Sequence, residues 1–136
     1  MKIDRLFVTK GDREKYYNPL KDEEYFKEHS DIFTLAALYG FINNARKKIS
    51  KRDGLIRLHT FDQEIQIPLF KAIAVNAEGG DINILKDEGK VFLIVEEYAN
   101  GGITLLYENV MGKWKEDYGK KLETLLRDKY KKLNIK

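Results

Sequence analysis

The chain has 136 residues, of which 43% are hydrophobic and 35% charged, and its formal net charge at pH 7 is +3. This length suits one domain that can fold without covalent staples, so we expect a single domain over residues 1–136. Because the sequence contains no cysteine, it excludes disulfide frameworks, thiolate nucleophiles and cysteine-ligated metal sites. Neither a secretory signal nor a membrane-spanning apolar run is visible, and we therefore expect a cytoplasmic protein.

The charges are unevenly distributed along the chain. Residues 46–57 carry six basic side chains and one acidic, and residues 113–136 carry nine basic and four acidic. Residues 58–112 show the reverse, with three basic and nine acidic side chains. Such asymmetry indicates either an anionic partner for the basic segments or neutralisation of the acidic middle within the molecule. The sequence leaves both explanations open.

The N-terminal part begins with a short strand. Residues Ile3–Thr9 are rich in strand formers and are followed by a Lys-Gly-Asp turn signal. Asn18-Pro19 then divides a charged stretch, and we predict a helix from Lys21 to about Glu28. The aromatic residues of this part are expected to cap a neighbouring core; they are Tyr16, Tyr17, Tyr25 and Phe26.

The clearest helix follows at residues 31–42. Ser30 precedes Asp31 and a dense apolar set, which predicts an N-cap and an acidic first turn. Apolar residues lie on more than one face, so this helix is expected to be central to the core. Gly40 either allows close packing or marks the helix end, and Asn43-Asn44 suits the same ending.

The middle of the chain carries several turn signals. Asp53-Gly54 is one of them, and residues 55–61 with residues 64–68 predict a small hairpin around Asp62-Gln63. Pro68 also fits the first turn of a helix that ends at Gly79-Gly80. Asp81 then begins a further short unit.

The most informative stretch is residues 91–107, VFLIVEEYANGGITLLY. At helical spacing an apolar stripe runs through it, with Glu96, Glu97 and Glu108 largely off the stripe. This pattern is typical of one long helix.

Two glycines stand inside that helix. Each costs about 1 kcal/mol relative to alanine in a helix interior, so Gly101-Gly102 needs a compensating gain, and we expect close approach of another backbone. The rival interpretation is a strand over residues 91–95, a short helix ended at Asn100-Gly101, and a new helix from Ile103.

No catalytic constellation is visible. Adjacent helical residues point about 100° apart, so Glu96 and Glu97 do not converge on one ion or one proton. His29 and His59 are the only histidines, and neither has metal-ligand or triad spacing. The glycine pairs lack the context of phosphate loops. We therefore predict no enzyme activity, no metal and no cofactor.

Two basic segments are candidates for contact with nucleic acid. Several cations at loop or helix-end positions can contact phosphates and release counterions. The alternative is a solvated helix C-terminus whose cations complement the helix dipole. The predicted nucleic-acid-binding residues are Arg46, Lys47, Lys48, Lys51, Arg52, Lys120 and Lys121.

Residues 113–136 predict an amphipathic C-terminal helix with a basic face opposite an apolar stripe. The stripe packs on the body of the domain, on a partner protein or on a second copy, since such a stripe does not stay exposed in a monomer. The predicted partner-binding residues are Trp114, Tyr118 and Leu122.

One motif carries a family resemblance. EEYANGG, residues 96–102, followed by an apolar ITLL, resembles the Dnd system-associated protein 4 family, small proteins encoded beside bacterial DNA phosphorothioation genes. DIFTLAALYGF (residues 31–41) and IAVNAEGGDINIL (residues 73–85) look like further helices of that family. The resemblance implies a DNA modification and defence locus, but it implies no reaction and no catalytic residues.

We therefore expect a mainly α protein with a minor β element, of the α+β class. The leading hypothesis is a non-catalytic accessory or regulatory protein of a DNA phosphorothioation or phage-defence locus that binds duplex DNA through its basic segments. The alternative is an adaptor that docks on a larger defence-system protein through the GG-containing helix or the C-terminal stripe. Neither hypothesis involves a membrane, and both leave homo-oligomers open.

Overall fold

The computed structural model describes residues 7–23, 25–113 and 127. Helices dominate this part of the chain, which confirms the α+β class. The elements are β1 (Phe7–Thr9), α1 (Tyr17–Lys21), α2 (His29–Ile42), β2 (Leu55–Arg57), α3 (Gln66–Ala77) and α4 (Glu88–Tyr107). Short 3-10 segments lie at Gly11–Tyr16, Leu58–Thr60 and Ile82–Lys86, and α4 continues into a π-helical segment at Glu108–Lys113.

The predicted C-terminal helix lies outside the described residues, apart from Lys113 and Arg127. None of the helices in the described ranges combines the length and the apolar character needed to cross a bilayer.

The long helix α4 is continuous through both glycines, so the rival interpretation with a strand over residues 91–95 is wrong. Gly102 lies where α2 crosses α4. A Cβ atom built on Gly102 would overlap the Ala36 carbonyl oxygen, and one built on Gly40 would overlap the Tyr98 carbonyl oxygen. The two helix backbones are therefore in direct contact, which confirms the expected close approach.

The core lies between α2, α3 and α4. Phe33, Phe61 and Phe70 are almost fully buried, and their ring centroids lie 5.1–5.8 Å apart. Phe92 of α4 joins them at 6.3 Å from Phe70. Each buried phenyl ring contributes about 1.5–3 kcal/mol through removal of apolar surface from water, so this cluster fixes how the three helices meet.

The sheet differs from the predicted hairpin. β2 pairs antiparallel with β1, with Val8 opposite Ile56, and not with residues 64–68. The side chain of Asp62 accepts hydrogen bonds from the amides of Glu64 and Ile65, which turns the chain into α3. Pro68 is the third residue of α3, where its missing N–H costs no helical hydrogen bond. The hairpin prediction is therefore wrong, and the prediction of a helix around Pro68 is confirmed.

The N-terminal helix prediction also needs correction. The chain is helical from Gly11 to Lys21, and residues 25–28 are not helical. Pro19 does not divide the segment, because it is the third residue of α1 and needs no hydrogen-bonded N–H there. The strand prediction is confirmed for Phe7–Thr9, and residues 3–6 lie outside the described residues.

Smaller differences occur at the aromatic residues and at the start of α2. Tyr17 and Phe26 are buried, whereas Tyr25 is 52% exposed. The N-cap of α2 is Glu28, not Ser30; Ser30 is itself buried, and its carbonyl accepts a hydrogen bond from the Thr34 hydroxyl.

Candidate nucleic-acid interface

The predicted basic cluster lies in a loop between α2 and β2, residues 45–52, which we call the basic loop. Asn44, with φ of 54°, reverses the chain after α2. The loop has no regular secondary structure and runs along α4. A Cβ atom on Gly101 would overlap the Ala45 carbonyl oxygen, and the Lys47 amide donates to the Glu97 carbonyl at 3.0 Å. The second glycine of the EEYANGG pattern therefore accommodates α2, and the first accommodates the basic loop.

Asn100 holds the middle of the basic loop. It is only 1% exposed, and its side-chain nitrogen lies 3.4 Å from the Lys47 carbonyl oxygen and 3.2 Å from that of Lys48. The same nitrogen donates to the Asp12 carboxylate at 3.2 Å, while the Asn100 side-chain oxygen accepts from the Asp12 amide at 3.1 Å. One amide side chain thus joins α4, the loop and the N-terminal 3-10 segment.

Asp12 fixes the far end of the loop. Its carboxylate accepts hydrogen bonds from the amides of Ser50, at 3.0 Å, and Lys51, at 2.6 Å. A carboxylate that accepts backbone N–H groups makes charge-assisted bonds, which are stronger than neutral ones. The loop main chain is therefore held at three successive places by Glu97, Asn100 and Asp12.

Glu96 is buried under this arrangement, with 1% of its surface exposed. Its carboxylate accepts from the Thr9 amide at 2.7 Å and from the Arg52 guanidinium at 2.8 Å and 3.4 Å. The sequence pattern placed Glu96 off the apolar stripe of α4, and its side chain does contact polar groups. It is nevertheless buried, because β1 and the basic loop cover it. A buried carboxylate is tolerated only when it is paired and hydrogen-bonded, and Arg52 meets that requirement.

Glu97 pairs with the other arginine of the loop. The Arg46 side chain lies 2.8 Å from the Glu97 carboxylate and also over the Tyr98 ring, 5.6 Å from its centroid. The two adjacent glutamates therefore contact different arginines and do not converge. Within the described ranges, no group of three or more His, Cys, Asp or Glu residues could hold a metal ion.

The three lysines of the loop differ from the two arginines. Lys47, Lys48 and Lys51 are exposed, and none of them forms an ion pair with another described residue. Their main chains are bonded to α4 or to Asp12, whereas their ammonium groups face solvent. Of the two explanations for the charge asymmetry, internal neutralisation applies to Arg46 and Arg52. Among the described residues, it does not apply to the three lysines.

The remaining predicted site residues lie outside the part of the chain that the structure describes. They are Lys120 and Lys121, predicted to bind nucleic acid, and Trp114, Tyr118 and Leu122, predicted to bind a partner. Sequence reasoning in turn missed Asp12 and Asn100 as loop anchors. They are 88 positions apart, so no local pattern reveals their pairing, although Asn100 lies within the EEYANGG motif.

Fold and site together define a small, mainly helical protein that carries a basic loop along α4, the longest helix among the described residues. A family model described as DNA sulphur modification system-associated protein 4 matches residues 9–135. The chain therefore belongs to the DNA sulphur modification system-associated protein 4 family, as the EEYANGG motif indicated. No curated protein and no solved structure matches it. Membership associates the chain with a DNA sulphur modification system and supports an accessory role there.

Proposed function

We propose that this protein is a non-catalytic accessory component of a DNA sulphur modification system and binds the phosphate backbone of duplex DNA through its basic loop. The observation that carries the proposal is the contrast within the loop. Its main chain is bonded to α4 and to Asp12, while the ammonium groups of Lys47, Lys48 and Lys51 face solvent. Family membership supports an association with DNA, and the exposed ammonium groups of the loop are suited to contact phosphates.

A fixed main chain favours this role for a physical reason. Ordering a flexible loop on binding costs free energy, and a loop that is already ordered avoids that cost. Here the ordering comes from hydrogen bonds inside the protein, so phosphate contacts contribute more of their free energy to binding. Lysine contacts to phosphate carry no sequence information, and the proposed binding is therefore independent of base sequence.

The arginines support the lysines in two ways. Arg52 neutralises the buried Glu96 carboxylate and so holds the C-terminal end of the loop on α4. The side chains of Arg46 and Arg52 are still 38% and 47% exposed, and a guanidinium has five N–H donors, more than its carboxylate partner uses. Each arginine can therefore donate to a phosphate while keeping its internal ion pair.

A triple charge reversal tests the proposal. Lys47→Glu, Lys48→Glu and Lys51→Glu together should abolish binding to a labelled DNA duplex at about 150 mM salt, where the Debye length is about 8 Å and only close contacts persist. The matched control reverses three exposed lysines outside the loop, Lys71, Lys86 and Lys90. Far-UV circular dichroism of both variants should equal that of the wild type, since none of these side chains is buried.

The control defines the contrary outcomes. Equal loss of affinity in both triple variants would show that net charge, and not the basic loop, governs binding. Unchanged affinity in the loop variant would reject the loop as the contact surface.

A second candidate function, an adaptor for a larger protein of the same system, is favoured by exposed apolar side chains on the sheet. Phe7 is 38% and Leu55 55% exposed, and both face away from the buried Val8–Ile56 pair. The glycine face of α4 is not available for docking, because α2 and Ala45 cover it. Leu55→Asp should weaken a complex with a neighbouring gene product and leave DNA binding unchanged. An unchanged complex would reject this sheet surface as the docking site.

A further inference from the structure

A second polar site lies beside β2, separate from the exposed lysines of the basic loop. A cleft of about 240 Å³ opens between the start of α2 and residues 55–60. Polar and charged side chains line it together with an apolar wall, and they include Lys10, Lys21, Glu28, His29, Leu55 and Thr60. We call it the Lys10 cleft.

Lys10 is the unusual residue of this cleft. It is only 8% exposed, and its amide donates to the Gly54 carbonyl at 2.8 Å, which fixes the backbone there. Its ammonium lies 5.4 Å from the centre of the Tyr17 ring, and among the described residues its side chain has no hydrogen bond and no ion pair. Burial lowers the pKa of Lys10, with an opposing effect of the Glu14 carboxylate. The Glu14 carboxylate acts on Lys10 without forming an ion pair with it, and an anion in the cleft would supply a direct counter-charge to this largely buried side chain.

Two further polar atoms near Lys10 have no partner among the described residues. They are the enclosed Nε2 atom of His29 and the enclosed hydroxyl of Tyr17, and the centroids of these two rings lie 5.6 Å apart. His29 lines the cleft and begins the first turn of α2, whose N-terminal dipole end favours negative charge. The first turn of α2 therefore borders the cleft that Lys10 also lines.

Charged side chains of both signs lie near His29. Burial has the largest effect on the pKa of His29 and lowers it, and the ammonium groups of Lys10 and Lys21 lower it further. Glu14 and Glu28 act in the opposite direction, each with a smaller effect than either lysine. Of the two, only Glu28 lines the cleft, so one carboxylate opposes two ammonium groups there.

We propose that the Lys10 cleft binds a phosphate group carried on a larger molecule, that is, a phosphate monoester. A phosphate has three acceptor oxygens and, near neutral pH, close to two negative charges, which suits donors that approach from Lys10, Lys21 and the first turn of α2. The cleft is larger than a bare phosphate needs, and the exposed Leu55 side chain provides an apolar wall for the attached group. The ester is either a small phosphorylated compound or the 5′-terminal phosphate of a nucleic acid. This inference does not depend on the basic loop.

The test follows the backbone amides of His29, Ser30 and Asp31 by NMR while ligand is added to the full chain. The probes are inorganic phosphate, glycerol 3-phosphate, and a short oligonucleotide with a 5′-phosphate or a 5′-hydroxyl. Saturable shifts at these amides are expected with every phosphorylated probe, and none with the 5′-hydroxyl oligonucleotide. Tighter binding of the 5′-phosphorylated oligonucleotide than of glycerol 3-phosphate identifies a nucleic-acid end, and equal affinities identify a small ester.

Three substitutions separate a binding role from a structural one. Lys10→Met and the exposed Lys21→Met should each weaken glycerol 3-phosphate at least about tenfold, because each removes a charge-assisted hydrogen bond. Glu28→Gln should tighten it, because it removes the opposing carboxylate. Lys71→Met, an exposed lysine on α3, is the matched control and should change nothing.

A thermal shift gives an independent readout. At one fixed concentration, the phosphate ester should raise the Tm of the wild type and of Lys71→Met by equal amounts and that of Lys10→Met by less. The proposal is overturned if the amides of α2 show no saturable response to any phosphorylated probe, or if Lys10→Met and Lys71→Met bind with equal affinity.

Discussion

Removal of the Asn100 side chain tests how the basic loop is held. Asn100→Ala deletes the amide that contacts the carbonyls of Lys47 and Lys48 and both the amide and the carboxylate of Asp12. The loop carbonyls can turn to water, whereas the Asp12 amide and the cavity left by a side chain that is 1% exposed cannot be fully rehydrated. A lost hydrogen bond to a buried group costs about 1–3 kcal/mol, and charged partners lie at the upper end. We therefore expect a loss of about 2–3 kcal/mol in the free energy of unfolding.

The assay is urea unfolding followed by circular dichroism, together with hydrogen exchange at the Ser50 and Lys51 amides. Because Asp12 loses one of its anchors, both amides should exchange faster under native conditions, and more so than amides in the middle of α4. Asn76→Ala is the matched control, since Asn76 is exposed and bonds only within its own helix. It should change stability by less than about 0.5 kcal/mol.

A near-isosteric substitution sharpens the test. Asn100→Asp keeps the shape but places a carboxylate near the Asp12 carboxylate and the Lys47 carbonyl oxygen, where the structure requires a donor. Repulsion should raise the pKa of the new carboxyl in the folded state, so the variant should recover stability as pH falls through that value.

A loss below about 0.5 kcal/mol in Asn100→Ala, with unchanged exchange at Ser50 and Lys51, would refute the anchoring role.

Further predictions concern the helix crossing, the buried ion pair and the orphaned hydroxyl. Gly102→Ala should lower the free energy of unfolding by more than about 3 kcal/mol or prevent folding, because the new Cβ would overlap the α2 backbone. In the same unfolding assay Gly89→Ala should raise the free energy of unfolding by up to about 1 kcal/mol, because its Cβ meets nothing closer than 3.6 Å. Arg52→Met removes the guanidinium that neutralises the buried Glu96 carboxylate. Because Arg52 is half exposed and water can enter, chemical denaturation should show a loss of about 2 kcal/mol, below that of a fully buried pair. Burial raises the pKa of Tyr17, so its contribution to stability is complete below the unfolded-state value of about 10 and is lost as pH rises above it. Tyr17→Phe should not destabilise at pH 7, because the hydroxyl has no partner among the described residues, and this variant should unfold less readily than the wild type in an alkaline titration. Equal alkaline midpoints of the two proteins would contradict this prediction.

Parts of the fold that depend on local pattern could be predicted from the sequence. The helix through Gly101-Gly102 follows from apolar spacing, and its need for a close backbone follows from the cost of glycine in a helix. The end of α3 just before Gly79-Gly80 follows from the tendency of glycine to terminate helices, and both glycines have positive φ, 70° and 88°. Only the residues that Gly101 and Gly102 contact, Ala45 and Ala36, could not be predicted without the structure.

Parts that depend on distant pairing could not be predicted. The strand signal at Leu55–Arg57 was correct, but its partner is 48 residues away at Val8 and not in the adjacent segment. The basic cluster was visible as a charge run, yet the sequence could not separate its arginines, which pair with α4, from its lysines, which do not. Lys10 gave no signal either, because its burial results from β2 and α2 meeting beside it.

The most direct test of the basic loop is the salt dependence of duplex binding. Each phosphate contact by a lysine contributes about 0.9 to the slope of log K against log salt, so Lys47→Gln, Lys48→Gln and Lys51→Gln together should reduce that slope by about 2 to 3. The same three changes at Lys71, Lys86 and Lys90 should leave the slope unchanged. A reduced slope only in the loop variant supports phosphate contact by the loop lysines. Equal slopes in both variants, or no binding by the wild type even at low salt, would contradict it.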